Sequence, residues 1–124
     1  MPQEKKMQIS DIKGTVELSN HVRMPYFGLG VFQVPDEEVR NIVQYALFTG
    51  YRHIDTAFLY ANEKGVGHAV MESNVPREEI FVTSKVWNSD QGYSNTLRAF
   101  DKSMNLLGLD YIDLFLIHWP VKDR

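Results

Sequence analysis

Four residues of this chain are of types that can work together on a proton: Asp55, Tyr60, Lys85 and His118. Asp55 closes the short apolar stretch Tyr51-Arg52-His53-Ile54-Asp55, and Tyr60 stands five residues further on. Lys85 closes Ile80-Phe81-Val82-Thr83-Ser84-Lys85, and His118 closes Ile112-Asp113-Leu114-Phe115-Leu116-Ile117-His118. A free phenol has a pKa near 10, too high for efficient proton donation at neutral pH. A nearby ammonium stabilises the phenolate, and a carboxylate holds that ammonium in place and keeps it charged. A neutral imidazole donates a hydrogen bond to a substrate oxygen and orients it. Lys85, Asp55 and His118 are those three groups. Together they are equipment for protonating an oxygen on which negative charge develops, as when a carbonyl is reduced.

Taken singly, each residue has an ordinary reading. Asp55 caps a turn, Lys85 is a solvated strand-end charge, His118 is a satisfied core histidine and Tyr60 is packing. Packing explains poorly why they recur at equivalent ends of separate strands. Side chains alternate along a strand, so Asp55 shares a face with His53, Lys85 with Thr83 and His118 with Leu116. In parallel α/β proteins chemistry is placed at the C-terminal ends of the strands.

The elements that must position these groups follow from periodicity. The weak alternation of Met7 to Asn20 predicts a small hairpin turning near Lys13-Gly14. Tyr26 to Phe32 reads as a short apolar strand whose glycines allow close backbone approach. Val39, Ile42, Val43, Ala46 and Leu47 fall on one face of a helix over 36–50. Asp36, Glu37 and Glu38 suit the positive end of its dipole, and Gly50 stands where a C-terminal cap belongs. A strand over 51–55 follows, then a helix with Asn62 as its N-cap that runs to about Ser73 and is ended by Asn74 and Pro76. Next come a strand over 80–85 and a helix over 93–107, with Tyr93, Leu97, Phe100, Met104 and Leu107 on one face and Gly108 closing it. The last strand covers 112–118. Alternating strands and helices predict a parallel sheet with right-handed crossovers. Two architectures fit, an open doubly wound sheet and the first part of a (β/α)8 barrel.

The composition is that of a soluble globular domain: 124 residues, 44% apolar and 23% charged. With a net charge of −3 and scattered Lys and Arg, the chain offers nothing to nucleic acid. It has no cysteine, which removes disulfides and thiolate metal sites, and no metal is expected. No apolar run approaches the roughly 20 residues of a membrane span. Met1 to Lys6 has no apolar segment behind it, so it is not a signal peptide; disorder there and a cytoplasmic location are the expectations.

The motifs Gly28-Leu29-Gly30, Tyr51-Arg52-His53-Ile54-Asp55-Thr56-Ala57 with Tyr60, Asn62-Glu63, Gly65-Val66-Gly67, Thr83-Ser84-Lys85-Val86-Trp87, and Leu109-Asp110-Tyr111-Ile112-Asp113-Leu114 with Leu116-Ile117-His118-Trp119-Pro120 occur in a fixed order from Gly28 to Pro120. In that order they closely resemble the N-terminal half of the aldo-keto reductases. The resemblance implies a (β/α)8 barrel with an N-terminal hairpin, using NADPH (sometimes NADH) without a Rossmann domain. It implies a catalytic tetrad of Asp55, Tyr60, Lys85 and His118, in which hydride passes from the nicotinamide to a carbonyl carbon while Tyr60 protonates the oxygen. It places Gly30, Val31 and Phe32, with Asp55 and His118, against the cofactor. It places Phe32, Leu59, Tyr60, Trp87, His118 and Trp119 around a small carbonyl substrate, although barrel-edge packing also accounts for Trp119 before Pro120. Gly65-Val66-Gly67-His68-Ala69-Val70 nearly spells a dinucleotide fingerprint, but it lacks the final Gly or Ala and falls inside a helix. Its glycines are expected to permit tight helix packing.

Length is the departure from the family. Such a barrel needs roughly 250 residues, and its phosphate-binding loops follow strands seven and eight. The expectation is that residues 1–124 form the N-terminal portion of one barrel domain, a whole enzyme of this kind being a monomer. Four strands cannot close a barrel, so inward-facing residues, with Leu114, Leu116, Val82 and Phe81 among them, would lose their opposite wall. Alone, the chain is expected to bind NADPH poorly, turn over little and self-associate. The rival readings are a non-catalytic binding or regulatory module on the same scaffold, and an inert fragment.

Overall fold

The computed structural model describes residues 11–122. Strands β1 (Thr15–Glu17) and β2 (Arg23–Pro25) pair antiparallel, with Val16 opposite Met24. There follow β3 (Leu29–Gly30), α1 (Asp36–Thr49), β4 (His53–Asp55), α2 (Glu63–Glu72), β5 (Phe81–Val86), α3 (Tyr93–Leu107) and β6 (Leu114–Ile117). Single 3-10 turns at Phe58–Tyr60, Arg77–Glu79 and Asn88–Asp90 punctuate the connections. None of the described helices is long and apolar enough to cross a membrane.

Strands β3 to β6 form a parallel sheet whose spatial order is the sequence order. An open doubly wound sheet reverses its order at a switch point. These four strands do not, so right-handed crossovers leave every helix on one face, as in a barrel wall. Ile54 of β4 and Val82 of β5 point into that helical layer. They meet Val39, Val43 and Leu47 of α1, Val66, Ala69 and Val70 of α2, and Leu107 of α3. Val82 therefore belongs to the helix face and not, as expected, to the barrel interior. By alternation and register the interior face carries His53, Asp55, Phe81, Thr83 and Lys85, with Leu114 and Leu116 on β6 opposite Thr83 and Lys85.

Local chemistry sets most boundaries. Helix α1 has its three acids in the first turn and ends at Gly50, whose φ of 114° lets its N–H reach the carbonyls of Ala46 and Leu47. Helix α3 ends the same way at Gly108. Three expectations need correction. The turn at Asp11–Gly14 is present, but the hairpin among the described residues lies after it and reverses through residues 18–22; Met7 to Ser10, like residues 1–6, lie outside the described residues. Asn62 occupies the N-cap position of α2 without making a side-chain cap. Helix α3 buries Ala99, Ser103 and Leu107, while Tyr93 is 86% exposed and Leu97 is exposed beside it. Small residues at 99 and 103 allow close packing of α3, and the N-terminal part of the expected stripe, Tyr93 and Leu97, turns away, while Leu107 is buried and the Phe100 ring meets Phe115 edge-on at 5.4 Å.

Candidate active site

The C-terminal ends of β4, β5 and β6 bring Asp55, Lys85 and His118 to one rim. Register fixes this: Asp55 lies opposite Thr83, and Lys85 opposite Leu116, two residues before His118. The His118 N–H donates to the Val86 carbonyl at 3.1 Å, extending the ladder by one bond. The Lys85 ammonium donates to Asp55 Oδ1 and, at 3.0 Å, to the Thr56 carbonyl. The pair is only partly buried, with Asp55 the more open partner. A lysine held by two oxygens keeps little of its rotamer freedom, which is what a fixed positive charge requires.

Tyr60 arrives on the 3-10 turn that follows β4. Ala61 ends that turn in the left-handed region at φ 55°, an uncommon conformation for a residue with a Cβ. The Lys85 Nζ lies 5.2 Å from the centroid of the Tyr60 ring. The His118 ring stands perpendicular to the Tyr60 ring at 5.7 Å between centroids. Burial, and then the Lys85 ammonium, push the His118 pKa below the ordinary 6.5, with Asp55 opposing. His118 is thus neutral at pH 7, and its Nδ1 is buried without a partner among the described residues.

Around these groups lies an aromatic wall. Phe32 packs on Tyr60 at 5.2 Å, Trp87 meets His118 edge-on at 5.2 Å, and Trp119 lies 5.9 Å from Trp87. Phe32 and Trp119 are each 61% exposed, so this apolar surface is open to a ligand. Leu59 is exposed next to Tyr60 in the same turn. Gly30 leaves open space: a Cβ there would meet no atom within 4 Å. That space lies beside Asp55, the register partner of Gly30. Val31 behaves differently. Its side chain is buried in the helical layer, its N–H is bonded to the Asp55 carbonyl, and its own carbonyl accepts from the Val34 N–H and the Asn62 amide. It holds the loop in place and presents nothing to the rim.

Sequence reasoning missed the groups behind the rim. His53 bridges the Pro25 carbonyl and Thr83 Oγ1 at 2.8 Å each, tying the hairpin to the barrel face. Glu63 is buried beneath β5, with Oε2 accepting from Ser84 Oγ at 2.7 Å. Its Oε1 and the nearby Ser103 Oγ are buried without a hydrogen-bond partner among the described residues. Burial raises the Glu63 pKa above 4.5, with the hydrogen bond from the Ser84 hydroxyl opposing. The sign follows. A carboxyl whose folded pKa is raised binds its proton more tightly when folded, so stability falls as pH rises from about 4.5 through the raised value. Glu63→Gln is expected to be more stable than wild type at neutral pH and to lose this part of the decline. Denaturant midpoints of both proteins across that range check it, and parallel curves would contradict it. The signal available in the sequence was the Asn62-Glu63 pair, an acid within the first turn of a helix that packs on the sheet.

The sequence profile described as the aldo/keto reductase family matches residues 14–124. The chain is 61% identical over 110 residues to a 9,11-endoperoxide prostaglandin H2 reductase of Trypanosoma cruzi, covering 88% of this chain and 39% of that protein. It is 58% identical over 116 residues to a glyoxal reductase of Bacillus subtilis, covering 93% and 42%. Among solved structures, an aldo/keto reductase from Brucella melitensis superposes with a TM-score of 0.84 at 53% identity, covering 86% of this chain and 41% of that one. An aldo-keto reductase from Bombyx mori in complex with NADP superposes with a TM-score of 0.81 at 39% identity, covering 86% and 38%. These neighbours are (β/α)8 barrels, and this chain superposes on part of such a barrel. The chain spans about two fifths of the length of the curated relatives it matches.

Proposed function

The chain belongs to the aldo/keto reductase family, and from that premise we propose that the full-length protein carrying it reduces small aldehydes or ketones to alcohols with a nicotinamide cofactor. The observation that carries the reading is one constellation. A lysine ammonium is fixed by Asp55 and the Thr56 carbonyl beside the Tyr60 ring, with a neutral His118 edge-on to the same ring. The cofactor supplies a hydride to the carbonyl carbon. NADPH is the form proposed, on the strength of the NADP complex of the Bombyx relative, with NADH the alternative. Gly30 and Phe32 would hold its nicotinamide end, with Asp55 and His118 below.

The chain's own residues do the rest. Tyr60 gives its phenolic proton to the carbonyl oxygen as negative charge builds there, so that the oxygen leaves as a hydroxyl. The Lys85 ammonium stabilises the phenolate left on Tyr60, which solvent then reprotonates. Asp55 keeps Lys85 in place, and His118 donates one hydrogen bond that orients the carbonyl oxygen. Phe32, Trp87 and Trp119, with Leu59 at the margin, exclude water and select for small or apolar carbonyls, glyoxal among them by analogy with the Bacillus relative. Reduction of glyceraldehyde at the expense of NADPH, with Tyr60→Phe as control, tests the proposal.

For the 124-residue chain expressed alone, a different outcome is expected. Among the described residues strand β6 has no neighbour on its far side, its Ile117 is 63% exposed, and Leu116 is exposed on the interior face. An apolar edge strand pairs with whatever edge it meets. Sizing is expected to show species larger than the 14.4 kDa monomer, with weak NADPH binding. A stable monomer that binds NADPH tightly would contradict this.

A further inference from the structure

We propose that Asn62 is a positioning residue of this site: its amide clamps the Val31–Val34 turn that carries Phe32 and ties it, through Thr56, to the strand end that anchors Lys85. The inference rests on the functional reading above and deepens it.

An asparagine at an N-cap position ordinarily accepts a hydrogen bond from an N–H of the first helical turn. Asn62 does not. It is fully buried, and its Oδ1 accepts from Thr56 Oγ1 at 2.6 Å. The two hydrogens of its Nδ2 go to the carbonyls of Val31 at 2.9 Å and Val34 at 3.0 Å. The capping task has passed to a neighbour: Asp36, the first residue of α1, accepts the Gly65 N–H through Oδ1 at 2.9 Å. The Asn62 amide is thereby released for another use. Serine, threonine or aspartate would cap as well, but only an amide side chain offers an acceptor and two donors together.

The object it clamps matters. Val34 N–H bonds to the Val31 carbonyl at 3.1 Å, closing a turn with Phe32 and Gln33 at its centre. Gln33 sits at φ 63°, in the left-handed region that residues with a Cβ rarely adopt, so the turn needs an external hold. Asn62 grips both of its ends. The Phe32 ring then lies on Tyr60 at 5.2 Å. On the other side, Thr56 donates its hydroxyl to Asn62 and its N–H to the Thr83 carbonyl at 2.9 Å, and its own carbonyl accepts from the Lys85 ammonium. One buried amide therefore links the aromatic wall to the mount of the catalytic ammonium.

The test compares Asn62→Ala with Asp36→Ala in the full-length protein, reading amide hydrogen exchange and the Tyr60 ring-proton shifts by NMR. Losing the clamp is expected to raise exchange at Val34 by about tenfold or more, the worth of roughly one net hydrogen bond. It should also erase the ring-current shift that Phe32 imposes on Tyr60, with Gly65 unchanged. Asp36→Ala should do the reverse, raising exchange at Gly65 and sparing Val34 and Tyr60. If Asn62→Ala does not fold, Thr56→Val keeps the shape and removes the hydroxyl that fixes the amide, and a smaller change of the same pattern is expected. Unchanged Val34 exchange and Tyr60 shifts, or a rise spread equally over Val34 and Gly65, would overturn the proposal. Neither readout needs turnover. A Tyr60→Phe protein that still reduces aldehydes would sink the functional reading and leave the clamp standing.

Discussion

Tyr60→Phe in the full-length protein is expected to lower aldehyde reduction by about 10²–10⁴-fold, the usual worth of a positioned general acid. The substitution removes one oxygen and leaves the ring. Phe32 at 5.2 Å and the perpendicular His118 at 5.7 Å pack against ring carbon, so the wall and the fold stay as they are. The loss should therefore fall on kcat, with NADPH affinity little changed. That pattern marks an interaction made in the transition state and not in the ground state. Lys85, Asp55 and His118 cannot substitute. The lysine is committed to Asp55 and the Thr56 carbonyl, and the histidine is neutral because burial and the nearby ammonium hold it so. A variant that keeps near-normal kcat would show that another group or solvent protonates the oxygen.

The largest stability effect is expected at Gly67. A Cβ built there would lie 1.7 Å from the Leu107 carbonyl oxygen, 2.5 Å from its carbon and 2.8 Å from its Cα. These are backbone atoms of the last residue of α3, so no side-chain rotation relieves the clash and the two helices must separate. Leu107 is fully buried and anchors α3 in the core, and Gly108 behind it already holds a left-handed cap. Overpacking of this kind costs about 1–3 kcal/mol and on occasion more. Gly67→Ala is expected at the upper end of that range, lowering the melting temperature by several degrees for each kcal/mol. Met71→Ala, an exposed change on the same helix, is the control and should do little. An unchanged melting temperature for Gly67→Ala would mean that α2 and α3 are not packed as described. Gly65 is similarly crowded, with Val39 Cγ1 at 2.4 Å. Both glycines of the near-fingerprint serve helix packing, as expected from their place inside a helix.

Much of this was readable because local rules and global fold agree. Periodicity of 3.6 and a terminal glycine located α1 closely, and polar residues ending apolar stretches picked out Asp55, Lys85 and His118 before any geometry was known. What stayed hidden depends on three-dimensional competition. Strand β3 keeps two residues: a bend at Tyr26 and Phe27 precedes it and the turn carrying Phe32 ends it, and that turn is held by a side chain 31 residues away. Asn62 looked like a cap because asparagine is a good one, and only the arrival of Asp36 at Gly65 shows that it is not. The apolar stripe of α3 gave the helix correctly and its buried face only towards the C-terminal end: Leu107 is buried, but Ala99 and Ser103 are buried while Tyr93 and Leu97 are exposed. Val31 matched a cofactor position by type, yet its side chain faces the core.

The claim that this rim reduces carbonyls is tested most directly by product stoichiometry. The full-length protein is incubated with NADPH and a panel of small aldehydes, and alcohol formed is measured against NADPH consumed. The account predicts one alcohol for each NADPH oxidised, with both lost together when Lys85 is changed to Met. A folded protein that binds NADPH and leaves every aldehyde unreduced would contradict it, and would make this scaffold a binding module that has kept the residues of a reductase without the reaction.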